Sequence, residues 1–226
     1  MFPQNIAVVN GVLYQAFQDP KIGIPVAVVV GVENRQQSRL DISLQLGEIP
    51  VVGIVSNAFA NMTDLTYAYI NSPYDKFFGF NVGANAFENC SNLTYFKCWA
   101  PSICIMSEAF KGCSALTGIS TGQAKLQGTN IFEGCKHNLS LRSHFKEISN
   151  FAFQKSPHVK AIFFAPNAKL SEYALCGIDS MLFRFDGDAE FRGDATTQIS
   201  IDTTIKCPQN SNLTELVSYG YRVETY

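Results

Sequence analysis

Apolar residues along this chain return in fixed slots. An Ala-Phe pair, or a near substitute, stands at Ala58-Phe59, Ala86-Phe87, Ala109-Phe110, Ile131-Phe132, Ala152-Phe153 and Ala174-Leu175, at steps of 28, 23, 22, 21 and 22 residues. Three residues after each pair come Met62, Cys90, Cys113, Cys135, Ser156 and Ile178. Three further on come Leu65, Leu93, Leu116, a slipped Leu139, Val159 and Met181. Five residues before each aromatic stand Ile54, Val82, Ile105, Gln127 with Leu126 beside it, Ile148 and Leu170. Apolar slots recurring at a period of roughly 20–29 residues mark a solenoid, each turn giving one short strand and one tighter return segment. A lone turn cannot bury its apolar side. Stacked turns can, so the Phe column predicts a spine and the Leu and Ile columns a continuous core.

The strand of each turn follows the Leu slot. "TYAYI" after Leu65, "TYFKC" after Leu93 and "KAIFF" after Val159 alternate apolar and polar residues with period two, as strands with one buried face do. Ahead of the repeats, "NIAVVNGVLYQAF", "IGIPVAVVVGV" and "RLDISLQLG" read as strands separated by turn signals, so residues 1–50 are expected to form an N-terminal β cap. A solenoid end exposes apolar slots and needs such a cover. Beyond residue 185 the period dissolves. A strand in "ISIDTTIKC", a short helix near Leu213–Ser218 stopped by Gly220, and a last strand are expected to make a C-terminal cap over residues 186–226.

The unit I-x-x-x-A-F-x-x-C-x-x-L-x-x-I, carried in register over about residues 51–185, resembles the BspA-type leucine-rich repeat. The resemblance implies an α/β repeat solenoid that is mostly β: a curved right-handed leucine-rich-repeat coil with a parallel sheet on its concave side and few short helical turns. It further implies a surface-associated or secreted adhesion-type protein that binds a protein or glycan, with a host matrix or surface component as partner. Gln127, the slip at Asn138-Leu139 and Leu175 in place of Phe are departures that mark decayed copies.

Composition narrows the function classes. The chain has 226 residues, 46% of them hydrophobic and 16% charged, enough to bury a full core in one domain. Its formal charge of -2 and lack of a Lys/Arg cluster argue against nucleic acid. The apolar run Ile24 to Val32 is far short of the roughly 20 residues of a membrane helix, so no membrane insertion is expected. The first residues lack the pattern of a secretory signal, which leaves either a cytoplasmic protein or one whose signal has been removed.

The motifs that could carry chemistry do not converge. Cys90, Cys113 and Cys135 share a repeat slot and read as a buried column; Cys98 and Cys104 flank one turn and could pair, but no spacing suits a metal. "GISTG", residues 118–122, matches a nucleophile elbow in letters only, since Ser120 falls in a strand with no helical pattern after it. His137, His144 and His158 lie in different turns with no evident carboxylate partner. Asp186, Asp188 and Glu190 alternate, but the positions where a calcium loop needs Gly and Glu hold Phe191 and Thr197. Arg192, Gly193 and Asp194 spell an adhesion tripeptide on an expected connector, and five N-x-S/T sequons, at Asn61, Asn89, Asn92, Asn138 and Asn212, read first as turn residues. No catalytic residue, metal or cofactor is expected.

What remains is a surface. With Leu65, Ala68 and Ile70 inward, Tyr67 and Tyr69 face out, and the same register places Tyr95, Lys97, Gly118, Ser120, Ala161, Phe163 and Arg184 on that face. Tyr67, Tyr69, Tyr95, Lys97, Phe163 and Arg184 are therefore the candidate ligand-binding residues, against the alternative that the aromatics only satisfy strand propensity. An intracellular interaction scaffold stands as the second reading, because free cysteines suit a reducing compartment.

Overall fold

The computed structural model describes residues 6–21, 23–71, 79–136, 138–178, 182–192, 203–209 and 211–226. Met181, His137, Gly193 and Asp194 lie outside the described residues. The chain coils through about eight turns with two parallel strand ladders. The front ladder joins β4 (Arg39–Ser43), β7 (Tyr67–Asn71), β9 (Tyr95–Cys98), the starts of β11 (Gly118–Gln127), β12 (Leu139–Ile148) and β13 (Val159–Leu170), then β14 (Leu182–Phe185), β16 (Thr204–Cys207) and β17 (Arg222–Thr225). The rear ladder joins β3 (Pro25–Val32), β6 (Ile49–Ile54), β8 (Phe80–Val82), β10 (Ser102–Met106), the ends of β11, β12 and β13, and β15 (Ala189–Phe191).

The second ladder is a finding. The pattern predicted one strand per turn and a tighter return; instead, the Ile column before each Ala-Phe pair also lies in strands, and β11 to β13 run from the front ladder into the rear one. Parallel strands from successive turns give the backbone amides of the ladders partners one turn away, and the short three-residue β8 is held by a neighbour on each side.

The third side is a turn, built the same way in each coil. The residue two before each Phe slot is left-handed: Asn57, Asn85, Glu108, Asn130, Phe151 and Tyr173 have φ between 53° and 61°. The residue two after it is left-handed as well, at Asn61, Asn89, Gly112, Gly134, Lys155 and Gly177. Asn and Gly tolerate this region best, which accounts for the sequons at Asn61 and Asn89 as turn chemistry. Phe151 and Tyr173 pay a steric cost there, offset in part by stacking on each other at 5.1 Å. Between these positions the backbone again bonds turn to turn, as in Phe59 N–H to Ala86 O and Phe87 N–H to Ala109 O, each 2.9 Å.

The core occupies the space between the three sides. Phe59, Phe87, Phe110, Phe132 and Phe153 are fully buried and stack in file at 5.2, 5.4, 6.0 and 5.7 Å, and Leu175 ends the file. Leu126 is buried, whereas Gln127 is exposed and pairs with Met106, so the Ile column continues through Leu126 and only its letter spacing slips. Leu139 is likewise buried.

At the N-terminal end, β1 (Ile6–Val9) and β2 (Val12–Gln18) form an antiparallel hairpin across Asn10-Gly11, both with positive φ, and β2 pairs antiparallel with β3. A two-residue β5 (Gln45–Leu46) turns into β6. At the other end a 3-10 helix spans Asn212–Tyr219 and stops at Gly220 in the left-handed region, as predicted.

Candidate functional site

The front ladder places side chains of one register in rows across the coil. Tyr67 lies opposite Tyr95, which lies opposite Gly118; one position pair further on, Tyr69 lies opposite Lys97, which lies opposite Ser120. The alternation is as predicted: Ala68 and Ile70 are fully buried, while Tyr67 and Tyr69, which alternate with them, are half-buried.

These aromatics form a file, with their faces turned to one another. The Tyr67 and Tyr95 rings stack at 5.8 Å and 11°, and the Arg39 guanidinium covers the outer face of Tyr67 at 5.2 Å. The far side of Tyr95 lies over Gly118: a Cβ there would sit 2.5 Å from the ring, so only glycine lets the ring settle. That contact buries Gly118, which the strand alternation alone had placed outward. Burial, and then the neighbouring Tyr95, raises the Tyr67 phenol pKa, and the Asp41 carboxylate beside Arg39 raises that of the guanidinium.

Trp99 extends the file and was missed by pattern reading, since it lies one residue past the strand. It is 54% exposed, donates its indole N–H to Tyr69 Oη at 2.7 Å, and has Lys97 Nζ 4.2 Å from its ring centroid. Arg39, Tyr67, Tyr95, Tyr69, Lys97 and Trp99 thus make one contiguous wall of ring edges, hydroxyls and cations. Its geometry is locked by cross-strand contacts before any ligand arrives.

Further along the same ladder a cavity of about 570 Å³ opens, lined by Ser140, Arg142, Ser143, His144, Ala161, Phe163, Arg184 and Asp186. A break in register makes it. Against β13, Leu141 pairs with Ile162 and His144 with Phe163, so Arg142 and Ser143 are extra residues in β12; against β11, Ser143 alone stands opposite Thr121 and Gly122. Arg142 and His144 are exposed, while Ser143 points in and accepts a hydrogen bond from the Thr121 hydroxyl at 2.8 Å.

His144 has a carboxylate partner after all. Its Nε2 lies 3.2 Å from Asp186 Oδ2, brought there because β12, β13 and β14 are successive strands of one ladder. Arg184 Nε lies 3.5 Å from the same carboxylate and its guanidinium sits over the Tyr226 ring at 4.9 Å. The Tyr226 hydroxyl donates to Phe185 O at 2.6 Å. No spacing in the sequence joins positions 144, 186 and 226; the coil does.

Other predicted features fall elsewhere. Arg192 is exposed and bonds Glu190 at 3.0 Å. Asp188 accepts the Asn212 N–H at 2.8 Å and Glu190 pairs with Lys169, so the alternating acidic residues turn to separate partners. Ser120 sits inside β11, paired on both sides with Lys97 and Arg142. No disulfide joins any of the seven cysteines, and Cys104 donates to Gln127 Oε1 at 3.0 Å instead of bonding Cys98. Among the described residues no helix is long and apolar enough to cross a membrane, and no group of His, Cys, Asp and Glu has a metal-binding arrangement.

Comparison with known proteins agrees with this architecture. A model of the BspA type leucine rich repeat region, in six copies, matches residues 42–137 and 80–184. The crystal structure of a T. pallidum leucine rich repeat protein superposes with a TM-score of 0.53 at 15% identity, covering 93% of this chain and 95% of that one. A leucine rich cell surface protein from Faecalibacterium prausnitzii gives 0.41 at 14% identity, covering 91% and 83%. No curated protein matches.

Proposed function

The chain belongs to the BspA-type leucine-rich-repeat family, and from that premise we propose that it is a non-enzymatic binding module that presents its front sheet to a protein or glycan at a cell surface or outside the cell. The observation that carries this reading is the preset wall of Arg39, Tyr67, Tyr95, Tyr69, Lys97 and Trp99. Rigid aromatic edges with hydroxyl tips and flanking cations offer contact area at little entropic cost, so a modest number of contacts suffices for binding. Surface display is proposed from the habit of the family. The tripeptide at Arg192, Gly193 and Asp194 remains a second, lesser adhesion candidate.

A second reading, an intracellular interaction scaffold, draws on one observation: seven cysteines with no disulfide among them, which suit a reducing compartment. One experiment addresses both. Immobilised protein is exposed to extracellular-matrix extract and to cytosolic extract, with wild type compared against the combined Tyr67→Ala, Tyr69→Ala and Tyr95→Ala variant. The expected result is capture of a matrix or surface component that the variant loses while its melting temperature falls by only a few degrees, since each cross-strand pair is worth about 0.2–1 kcal/mol. Capture from cytosol alone favours the scaffold. Capture indifferent to the tyrosines overturns the site.

A further inference from the structure

We propose that the cavity at the β12 bulge binds an acidic sugar: a pyranose ring carrying one carboxylate. This rests on the reading of the front sheet as a binding surface and names the ligand class for its second half.

Three features of the cavity point the same way. Its volume of about 570 Å³ lies within the roughly 300–1,000 Å³ usual for small-ligand sites and has room for one or two sugar rings. A bulge builds it, and bulges re-aim side chains beside binding sites in a way that regular strands do not. Its polar groups are of opposite kinds facing one space. Arg142 is exposed and, among the described residues, has no hydrogen-bond or ion-pair partner, whereas Arg39, Arg184, Lys206 and Arg222 on the same ladder all pair with a carboxylate. A planar, unpaired guanidinium at the rim calls for a carboxylate.

Asp186, in the same lining, calls for the reverse. It is held by His144 and Arg184 at 3.2 and 3.5 Å, long contacts that leave lone pairs able to accept a donor. Ser140 lines the same space. The half-buried Phe163 and Ala161 supply an apolar lining. A ligand that satisfies all of these offers one carboxylate, several hydroxyl donors and an apolar ring face together. An acidic pyranose does. An acidic peptide side chain brings only acceptors, which Asp186 repels.

The test is calorimetric titration of the full chain with sialyllactose and with an oligogalacturonate, using lactose and the methyl-esterified oligogalacturonate as neutral counterparts and a poly-glutamate peptide as the anionic counterpart. Wild type is expected to bind at least one acidic sugar and neither neutral one, and whichever acid binds identifies the source. Arg142→Gln, at an exposed and unpartnered position, is expected to keep the wild-type melting temperature and to weaken binding roughly tenfold or more, the scale of a charge-assisted hydrogen bond. Phe163→Ala is expected to weaken it as well. Equal affinity for acid and neutral forms, indifference to Arg142→Gln, tighter binding of poly-glutamate, or no binding of either acid each overturns the proposal. Failure of the acidic sugars alongside tyrosine-dependent capture leaves the front-sheet reading intact; the converse result separates the two in the other direction.

Discussion

Cys90, Cys113 and Cys135 occupy a slot that also takes Met62, Ser156 and Ile178, so size and polarity alone do not select cysteine there. The structure supplies a reason: each thiol donates to a backbone carbonyl of the preceding turn, at 3.1, 3.1 and 3.5 Å to Phe59, Phe87 and Phe110. Burial pushes the Cys90 and Cys135 thiols up to about 12 and raises Cys113 well above its ordinary value, which leaves little thiolate at ordinary pH. In native protein at about pH 8 a thiol-alkylating reagent is therefore expected to label Cys104, the half-buried one, slowly and the other six not at all, with all seven labelled in denaturant. Mass spectrometry of the labelled peptides checks this; rapid native labelling at Cys113 contradicts the column. A second residue-scale prediction concerns Glu133, whose carboxyl is held below its ordinary 4.5, chiefly by the Lys155 ammonium, with Asn130 also bonding it. A depressed folded-state pKa gives stability that is present above the unfolded value and is lost as pH falls through the folded one. Glu133→Gln is expected to melt about 1–2 °C below wild type at neutral pH, the scale of a part-exposed ion pair, and to converge with it near pH 3. A gap that persists in acid points to packing instead.

At the scale of the element, the turn is the unit and its neighbours are its environment. Phe110 packs between Phe87 and Phe132 and meets the edge of Phe96 at 5.0 Å, so it joins three turns. Phe110→Ala is expected to cost about 3–5 kcal/mol in urea denaturation, because the fixed strands on either side cannot collapse into the gap. A loss below about 1 kcal/mol shows that the file is not continuous. The columns around Phe110 were legible in the sequence, because a stacked repeat forces like residues into like slots. The second strand of each turn was less so. Segments such as "FNV" and "SICIM" are short and flanked by turns, and their strand character comes from pairing with neighbours on both sides, which local alternation does not encode.

Over the whole molecule, charge is distributed against its sum. The chain carries a net -2, yet the front ladder gathers Arg39, Lys97, Arg142, Arg184, Lys206 and Arg222 against Asp41, Asp186 and Glu224. A ligand held by that sheet is expected to bind severalfold more weakly as salt rises from about 0.05 M to about 0.5 M, because exposed charges are screened over shorter distances. The matrix capture repeated across that range checks it, and salt-independent capture argues for contact through aromatic edges alone.

The sequence by itself determined the solenoid, its Phe, Cys and Leu columns, the outward set Tyr67, Tyr69, Tyr95, Lys97, Phe163 and Arg184, and the closing helix with its glycine stop. These are local or periodic properties, and a repeat writes them several times over. The tertiary structure alone decided that the tyrosines stack face to face with Arg39, that Gly118 is covered, that Trp99 joins the wall, and that His144 meets Asp186. Those depend on how one turn sits on the next, including a bulge of two residues in β12 that carries no letter signature. Contacts between residues 40 or more apart follow from the stacking of turns, and only the stacked coil sets that distance.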